Sequence, residues 1–145
     1  MKGSGRVVFD TGTLVSAALR ATAPADCAFS LALRHGVICV CEQGLERLRA
    51  VLRKSKLDRC MGKRARMAFV DVLLRNAWAC TVSATDVSKI RPTCRDRGNN
   101  VILALAAVAE ADAIVSSEAE LLARKAWRGI PIVTPAEFVD RVDPA

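Results

Sequence analysis

Apolar and polar residues follow two spacings along this chain, and the switches between them outline its elements. Short apolar runs, partly β-branched, stand at Val7-Val8-Phe9, Val37-Ile38-Cys39-Val40-Cys41, Cys80-Thr81-Val82, Ala113-Ile114-Val115-Ser116 and Ile132-Val133. Runs of this length and make-up read as strands buried on both faces. Between them apolar residues recur at three and four positions. Leu45, Leu48, Val51 and Leu52 predict an amphipathic helix over 42–53, and Met67, Val70, Leu73 and Leu74 predict another over 63–77. An Ala-rich helix is expected over 14–19, one opened by Pro24 runs to about Arg34, and one over 99–111 is apolar almost all round. A helix over 118–127 and a closing helix begun by Pro135, a residue suited to a first turn, end the chain. Residues 54–61 read as a basic connector, and 83–97, with Pro92, as the longest irregular stretch. Strands alternating with helices predict an α/β fold of three layers, α/β/α, around a short parallel sheet of about five strands.

The length of 145 residues fits one domain over 6–145, preceded by a flexible lead-in over 1–5. The glycines of that lead-in precede the first strand, the wrong side for a dinucleotide-binding loop. No uncharged apolar run approaches the roughly 20 residues of a membrane span and no amino-terminal signal pattern is present, so a cytoplasmic protein without membrane contact is expected. The six cysteines are scattered through element-like segments with no C-x-x-C pair, which predicts reduced thiols. A zinc site is disfavoured by the single histidine, His35, beside Gly36 at a helix end.

The net charge of +7 is unevenly placed. Arg47, Arg49, Arg53, Lys54, Lys56, Arg59, Lys63, Arg64 and Arg66 face the single acid Asp58 within one stretch. A field of that sign favours polyanions, nucleic acid above all, and the residues Arg47, Arg49, Arg53, Lys54 and Lys56 are the candidate contacts to its phosphate backbone. A merely solvated basic helix face is the competing reading, because aromatic residues able to stack on bases are few.

The acids are placed with more order. Asp10 follows the first strand, Glu42 and Glu46 the second, Asp96 precedes the buried helix, and Glu118 and Glu120 follow the fourth strand. Taken singly each is a cap or a solvated charge; Asp10, for instance, is a favoured cap for the helix that follows it. Right-handed crossovers, however, bring successive strand ends to one side of a sheet. Carboxylates gathered there repel unless a cation offsets them, and a hard divalent ion such as Mg²⁺ or Mn²⁺ takes such oxygen ligands. That chemistry suits phosphodiester hydrolysis.

These residues resemble those of the PIN-domain family. The segment Val8-Phe9-Asp10-Thr11-Gly12-Thr13-Leu14-Val15-Ser16-Ala17 is similar to its opening motif, and Cys94-Arg95-Asp96 before the helix at Val101 to its Cys-Arg-Asp segment. Ala111-Asp112-Ala113-Ile114-Val115-Ser116-Ser117-Glu118-Ala119-Glu120-Leu121-Leu122 resembles its Ala-Asp block, and Thr134-Pro135-Ala136-Glu137-Phe138 its closing Thr-Pro-x-x-Phe. The resemblance spans residues 6–139 and is nearest to the toxins of toxin–antitoxin pairs, VapC-type ribonucleases. It implies a metal-dependent endoribonuclease, with Asp10, Asp96 and Glu118 as Mg²⁺ or Mn²⁺ ligands and Glu46 completing a catalytic set. Thr11, Asn99, Asn100, Ser116 and Glu120 would support them. It also implies an RNA substrate, a cognate antitoxin and a homodimer. The chain departs from the pattern at Gly12, where the family has Asn, and at Arg47, where an acid directly before Leu is usual. It departs again at Asn99-Asn100, where an acidic pair is usual, and at Glu118, which replaces Asp. Those departures support an alternative, a non-catalytic PIN domain that binds RNA or a protein partner.

Overall fold

A computed structural model describes residues 5–142. The lead-in expected over 1–5 therefore lies, except for Gly5, outside the described residues. Six strands form one sheet: β1 (Arg6–Phe9), β2 (Val37–Val40), β3 (Trp78–Ala79), β4 (Ala113–Val115), β5 (Ala126–Trp127) and β6 (Ile130–Val133), in the order β3-β2-β1-β4-β6-β5. Every pairing is parallel except that of β5 with β6. The helices are α1 (Thr11–Ala18), α2 (Ala23–His35), α3 (Glu42–Leu52), α4 (Lys63–Asn76), α5 (Ala84–Ser88), α6 (Arg97–Ala109), α7 (Ala119–Leu122) and α8 (Pro135–Val142).

Successive residues of a strand point to opposite faces, and each central strand here feeds two cores. Val7, Phe9, Ile38, Val40, Val115 and Val133 pack with α1, α2, α3, α4 and α8 on one face. Val8, Cys39, Ile114 and Ile132 pack with α6 and the segment from Val82 to Cys94 on the other. This is the expected three-layer arrangement, and it explains why the strands read as unbroken apolar runs. Helix α6 is buried along most of its length, including Ile102, Leu103, Ala104, Leu105 and Ala106, which is why its pattern lacks a polar face.

Several expectations are corrected. The third strand is Trp78–Ala79, which pairs with Cys39 and Val40, rather than 80–82; Val82 instead turns into the α6-side core. The helix expected over 118–127 stops at Leu122, and Ala126–Trp127 returns as a strand. The cause is a two-residue hairpin turn in which Arg128 (φ 49°) and Gly129 (φ 80°) both take the left-handed conformation that such turns require. The irregular stretch contains α5, opened by a reciprocal capping box between Ser83 and Asp86, and the basic connector holds a 3-10 turn over Ser55–Arg59. On α4, Leu74 is 40% exposed, whereas Arg66 is fully buried. The Arg66 guanidinium donates to the Asp58 carboxylate (2.8 Å) and to the Met61 carbonyl (2.7 Å), tying the connector to the helix.

Candidate functional site

The register of the two central strands sets the site. Phe9 of β1 lies opposite Val115 of β4, so the next residues, Asp10 and Ser116, emerge side by side at the carboxyl edge of the sheet. Open parallel sheets bind ligands at this edge. Asp10 is 4% exposed and serves as the cap of α1: its Oδ1 accepts from the Thr13 backbone N–H (2.8 Å). Its Oδ2 accepts from the fully buried Ser116 hydroxyl, whose oxygen in turn accepts from the Glu118 backbone N–H (2.9 Å). Asp10 thus caps α1 and stands at the carboxyl edge of the sheet with one side chain.

A second carboxylate is brought in by α6. Asp96 caps that helix through the Gly98 N–H (2.8 Å). A cavity of about 230 Å³ opens between these elements, lined by Asp10, Thr11, Gly12, Arg47, Asp96, Gly98, Asn99 and Glu118 together with Val15, Val51 and Ile102. Asp10, Asp96 and Glu118, the three candidate ligands, therefore share one cavity with Thr11 and Asn99.

Glu46 does not line it; its place is taken by the next residue of α3. A step of one residue turns a helical side chain by roughly 100°, and that step carries Arg47 inward, one turn from Val51. The Arg47 guanidinium grips Asp96 fork to fork, Nη1 to Oδ1 at 3.0 Å and Nη2 to Oδ2 at 2.8 Å. The pairing holds the Asp96 carboxyl below its ordinary range, and burial works against it. Arg47 is correspondingly raised, first by its bond to Asp96 and further by the charges of Asp10 and Glu118. Gly98 makes the arrangement possible: a Cβ at that position would lie 1.3 Å from Arg47 Nη1.

The remaining candidates are spread over supporting roles. Asn100 is buried and its Oδ1 accepts from the Cys94 N–H (2.8 Å), fixing the loop before α6. Asn99 donates to Glu120 (3.2 Å), and Glu120 also accepts from the Arg95 N–H (2.9 Å). Those bonds lower the Glu120 carboxyl and keep it occupied with the loop instead of the cavity. Among the basic candidates, Arg47 lies inside the cavity and Arg49 approaches Glu42 (3.8 Å), while Arg53, Lys54 and Lys56 are exposed. Arg59, Lys63 and Arg64 are exposed as well, so the basic surface begins two residues beyond Val51 at the cavity wall. Arg66 contributes nothing to that surface.

The described residues do not fit a preformed divalent-ion centre. Both Asp96 oxygens are engaged by Arg47, both Asp10 oxygens by Thr13 and Ser116, and no group of three or more His, Cys, Asp or Glu is arranged to hold a metal ion among the described residues. Arg47, expected on the RNA-binding surface, lies inside the cavity, and Gly98 beside it is a residue the sequence pattern does not flag. The available signal was the four-residue spacing of Arg47 and Val51, which puts both on one face of α3.

The model of the PIN domain matches residues 6–119, and the chain belongs to that family. No curated protein sequence matches it. Among solved structures it is similar to VapBC2 from Rickettsia felis bound to a DNA fragment from their promoter, with 15% identity over 89% of this chain and 98% of the other at a TM-score of 0.65. It is also similar to Mycobacterium tuberculosis VapC20, a sarcin-ricin loop cleaving toxin, with 12% identity over 86% and 98% of the two chains and a TM-score of 0.60. At these identities the likeness is one of fold. All six cysteines are free, and no described helix is long and apolar enough to cross a membrane.

Proposed function

We propose that this PIN domain is an RNA-binding protein of the toxin–antitoxin kind that engages RNA without cutting it through a resident metal. The observation that carries this reading is the Arg47–Asp96 fork inside the acidic cavity, which spends on an internal ion pair a carboxylate that metal-dependent cleavage needs. The exposed cluster of Arg53, Lys54, Lys56, Arg59, Lys63 and Arg64 is the surface for the RNA backbone. An antitoxin partner belongs to the same reading, supported by the fold shared with the VapBC2 structure. A groove of about 440 Å³ between α1, α2 and α4, with Phe29, Leu33 and Phe69 in its walls beside Arg20, Asp26 and Ser30, is mixed apolar and polar surface for it to cover. A homodimer is part of the proposal from family resemblance alone.

A second reading, an endoribonuclease dependent on Mg²⁺ or Mn²⁺, is favoured by the convergence of Asp10, Asp96 and Glu118 on one cavity. It requires Arg47 to release Asp96.

Binding of a fluorescent single-stranded RNA at several salt concentrations tests the leading reading. Affinity should fall steeply with salt, and replacing Arg53, Lys54 and Lys56 by Gln should flatten the dependence by about 0.7 in the log–log slope for each RNA phosphate that is no longer neutralised. An affinity indifferent to salt, or a triple variant with the wild-type slope, would remove RNA from the proposal.

A further inference from the structure

The acidic cavity contains a cation that belongs to the chain. Asp10, Asp96 and Glu118 together carry three formal negative charges along one lining, and burial of Asp10 weakens the screening that water gives them. Like charges so gathered repel one another, and a positive neighbour offsets the repulsion. The neighbour is Arg47, whose guanidinium meets both oxygens of Asp96 in the planar, paired geometry that a fork of fixed N–H groups favours.

The backbone is shaped to receive it. Gly98 stands at the second position of α6, two residues after its cap Asp96, and the Arg47 headgroup fills the space a side chain would take there: Nη1 lies 1.3 Å and Cζ 2.6 Å from an ideal Cβ. Gly98 carries no positive φ, so the conformation of the chain does not demand glycine. Its use at that position is steric, and what it makes room for is the guanidinium. Two residues far apart in sequence, Arg47 on α3 and Gly98 on α6, thus form one receptacle and its occupant.

We infer that the Arg47 guanidinium, seated over Gly98, is this domain's resident counter-ion and stands in place of a divalent cation, so that displacing it uncovers a Mn²⁺-binding site. The Glu118 side chain makes no hydrogen bond or ion pair among the described residues, which leaves it able to turn toward an incoming ion. Asp96 becomes available on loss of the fork, and Asp10 stays fixed by its cap and by Ser116. Whereas a bound Mn²⁺ would have to share the cavity with an arginine of like charge in the wild-type protein, in a variant without that arginine it meets the freed Asp96 carboxylate beside Asp10, and Glu118 must turn inward to join them. This inference rests on the same Arg47–Asp96 fork as the non-cleaving half of the proposed function and is independent of its RNA-binding half.

The test is titration of Mn²⁺ alone, by calorimetry, into the intact protein and two variants that empty the receptacle differently. Arg47→Ala removes the guanidinium; Gly98→Ala keeps the arginine but puts a Cβ where its headgroup sits, which drives that headgroup out of the receptacle and off Asp96. Far-ultraviolet circular dichroism and thermal melting establish folding, and the melting temperature with and without Mn²⁺ is a second readout. The wild type should show no saturable binding and no thermal shift. Both variants should gain saturable binding of one Mn²⁺ and melt higher in its presence. Adding Asp10→Asn to Arg47→Ala should abolish that gain. Wild-type binding as tight as that of the variants, or folded variants of both kinds that ignore Mn²⁺, would overturn the inference. RNA affinity of the wild type without metal is measured separately, so failure of one reading is distinguishable from failure of the other.

Discussion

Asp10 shows how a single side chain joins structure to site. One oxygen closes the first turn of α1 and the other accepts from Ser116, just past the neighbouring strand β4, so removing the carboxylate loosens both. Asp10→Ala should cost about 2 kcal/mol of stability in urea unfolding, combining a lost cap with an orphaned buried hydroxyl. Asp10→Asn, which keeps an acceptor for the cap, should cost less. Equal stability of the alanine variant and the wild type would mean that these bonds contribute nothing net. At this scale the sequence was informative about identity and weak about orientation. The position of Asp10 at a strand end was readable from Val7-Val8-Phe9 before it, but the choice between Glu46 and Arg47 depended on the rotation of α3 about its axis. Its apolar residues set that rotation only to within one position.

At the scale of elements, the connector between α3 and α4 is held by a buried charge. Arg66 is fully buried, and Asp58, on the 3-10 turn, supplies its only ion pair among the described residues. Removing that partner strands a guanidinium away from water, so Asp58→Ala should lower stability by about 2 kcal/mol, and Asp58→Asn by less. Urea midpoints unchanged by Asp58→Ala would show that the Asp58 bond contributes nothing net to stability. Arg66 also marks where pattern reading stopped: within a run of basic residues, nothing local distinguishes the one that turns inward. The hairpin at Arg128-Gly129 was hidden for a related reason. Arginine seldom takes the left-handed conformation, so Trp127-Arg128-Gly129-Ile130 lacked the usual signature of a two-residue turn. The Ser83–Asp86 capping box, by contrast, follows a spacing that sequence alone reveals, although the short helix behind it went unread.

Across the whole molecule, the layer order was legible because a parallel sheet covered on both faces writes long apolar runs, and those runs alternated with helical spacing. What the pattern could not supply was the state of the acidic edge, which depends on contacts between residues as distant as Arg47 and Asp96. That edge also shapes the response to acid. Asp96 and Glu120 both titrate below their ordinary values of 3.8 and 4.5, Asp96 chiefly through Arg47 and Glu120 chiefly through the Arg95 N–H. Folded values below unfolded ones mean that their stabilisation is fully present above about pH 4.5 and is lost as the pH falls through the lowered values. Melting temperatures followed from pH 7 downward should therefore decline on acidification, and Glu120→Gln should shallow the decline. An identical acid profile for the variant would contradict the part assigned to Glu120.

The most direct test of the central claim is incubation of the wild-type protein with end-labelled single-stranded RNA, with Mn²⁺ and separately with EDTA, recording both binding and cleavage. Salt-sensitive binding that is the same in the two conditions, with the RNA left intact, is the expected result. Cleavage that needs Mn²⁺, stops in EDTA and disappears in Asp10→Asn would show instead that Arg47 yields the site and that the domain is a working metal-dependent ribonuclease.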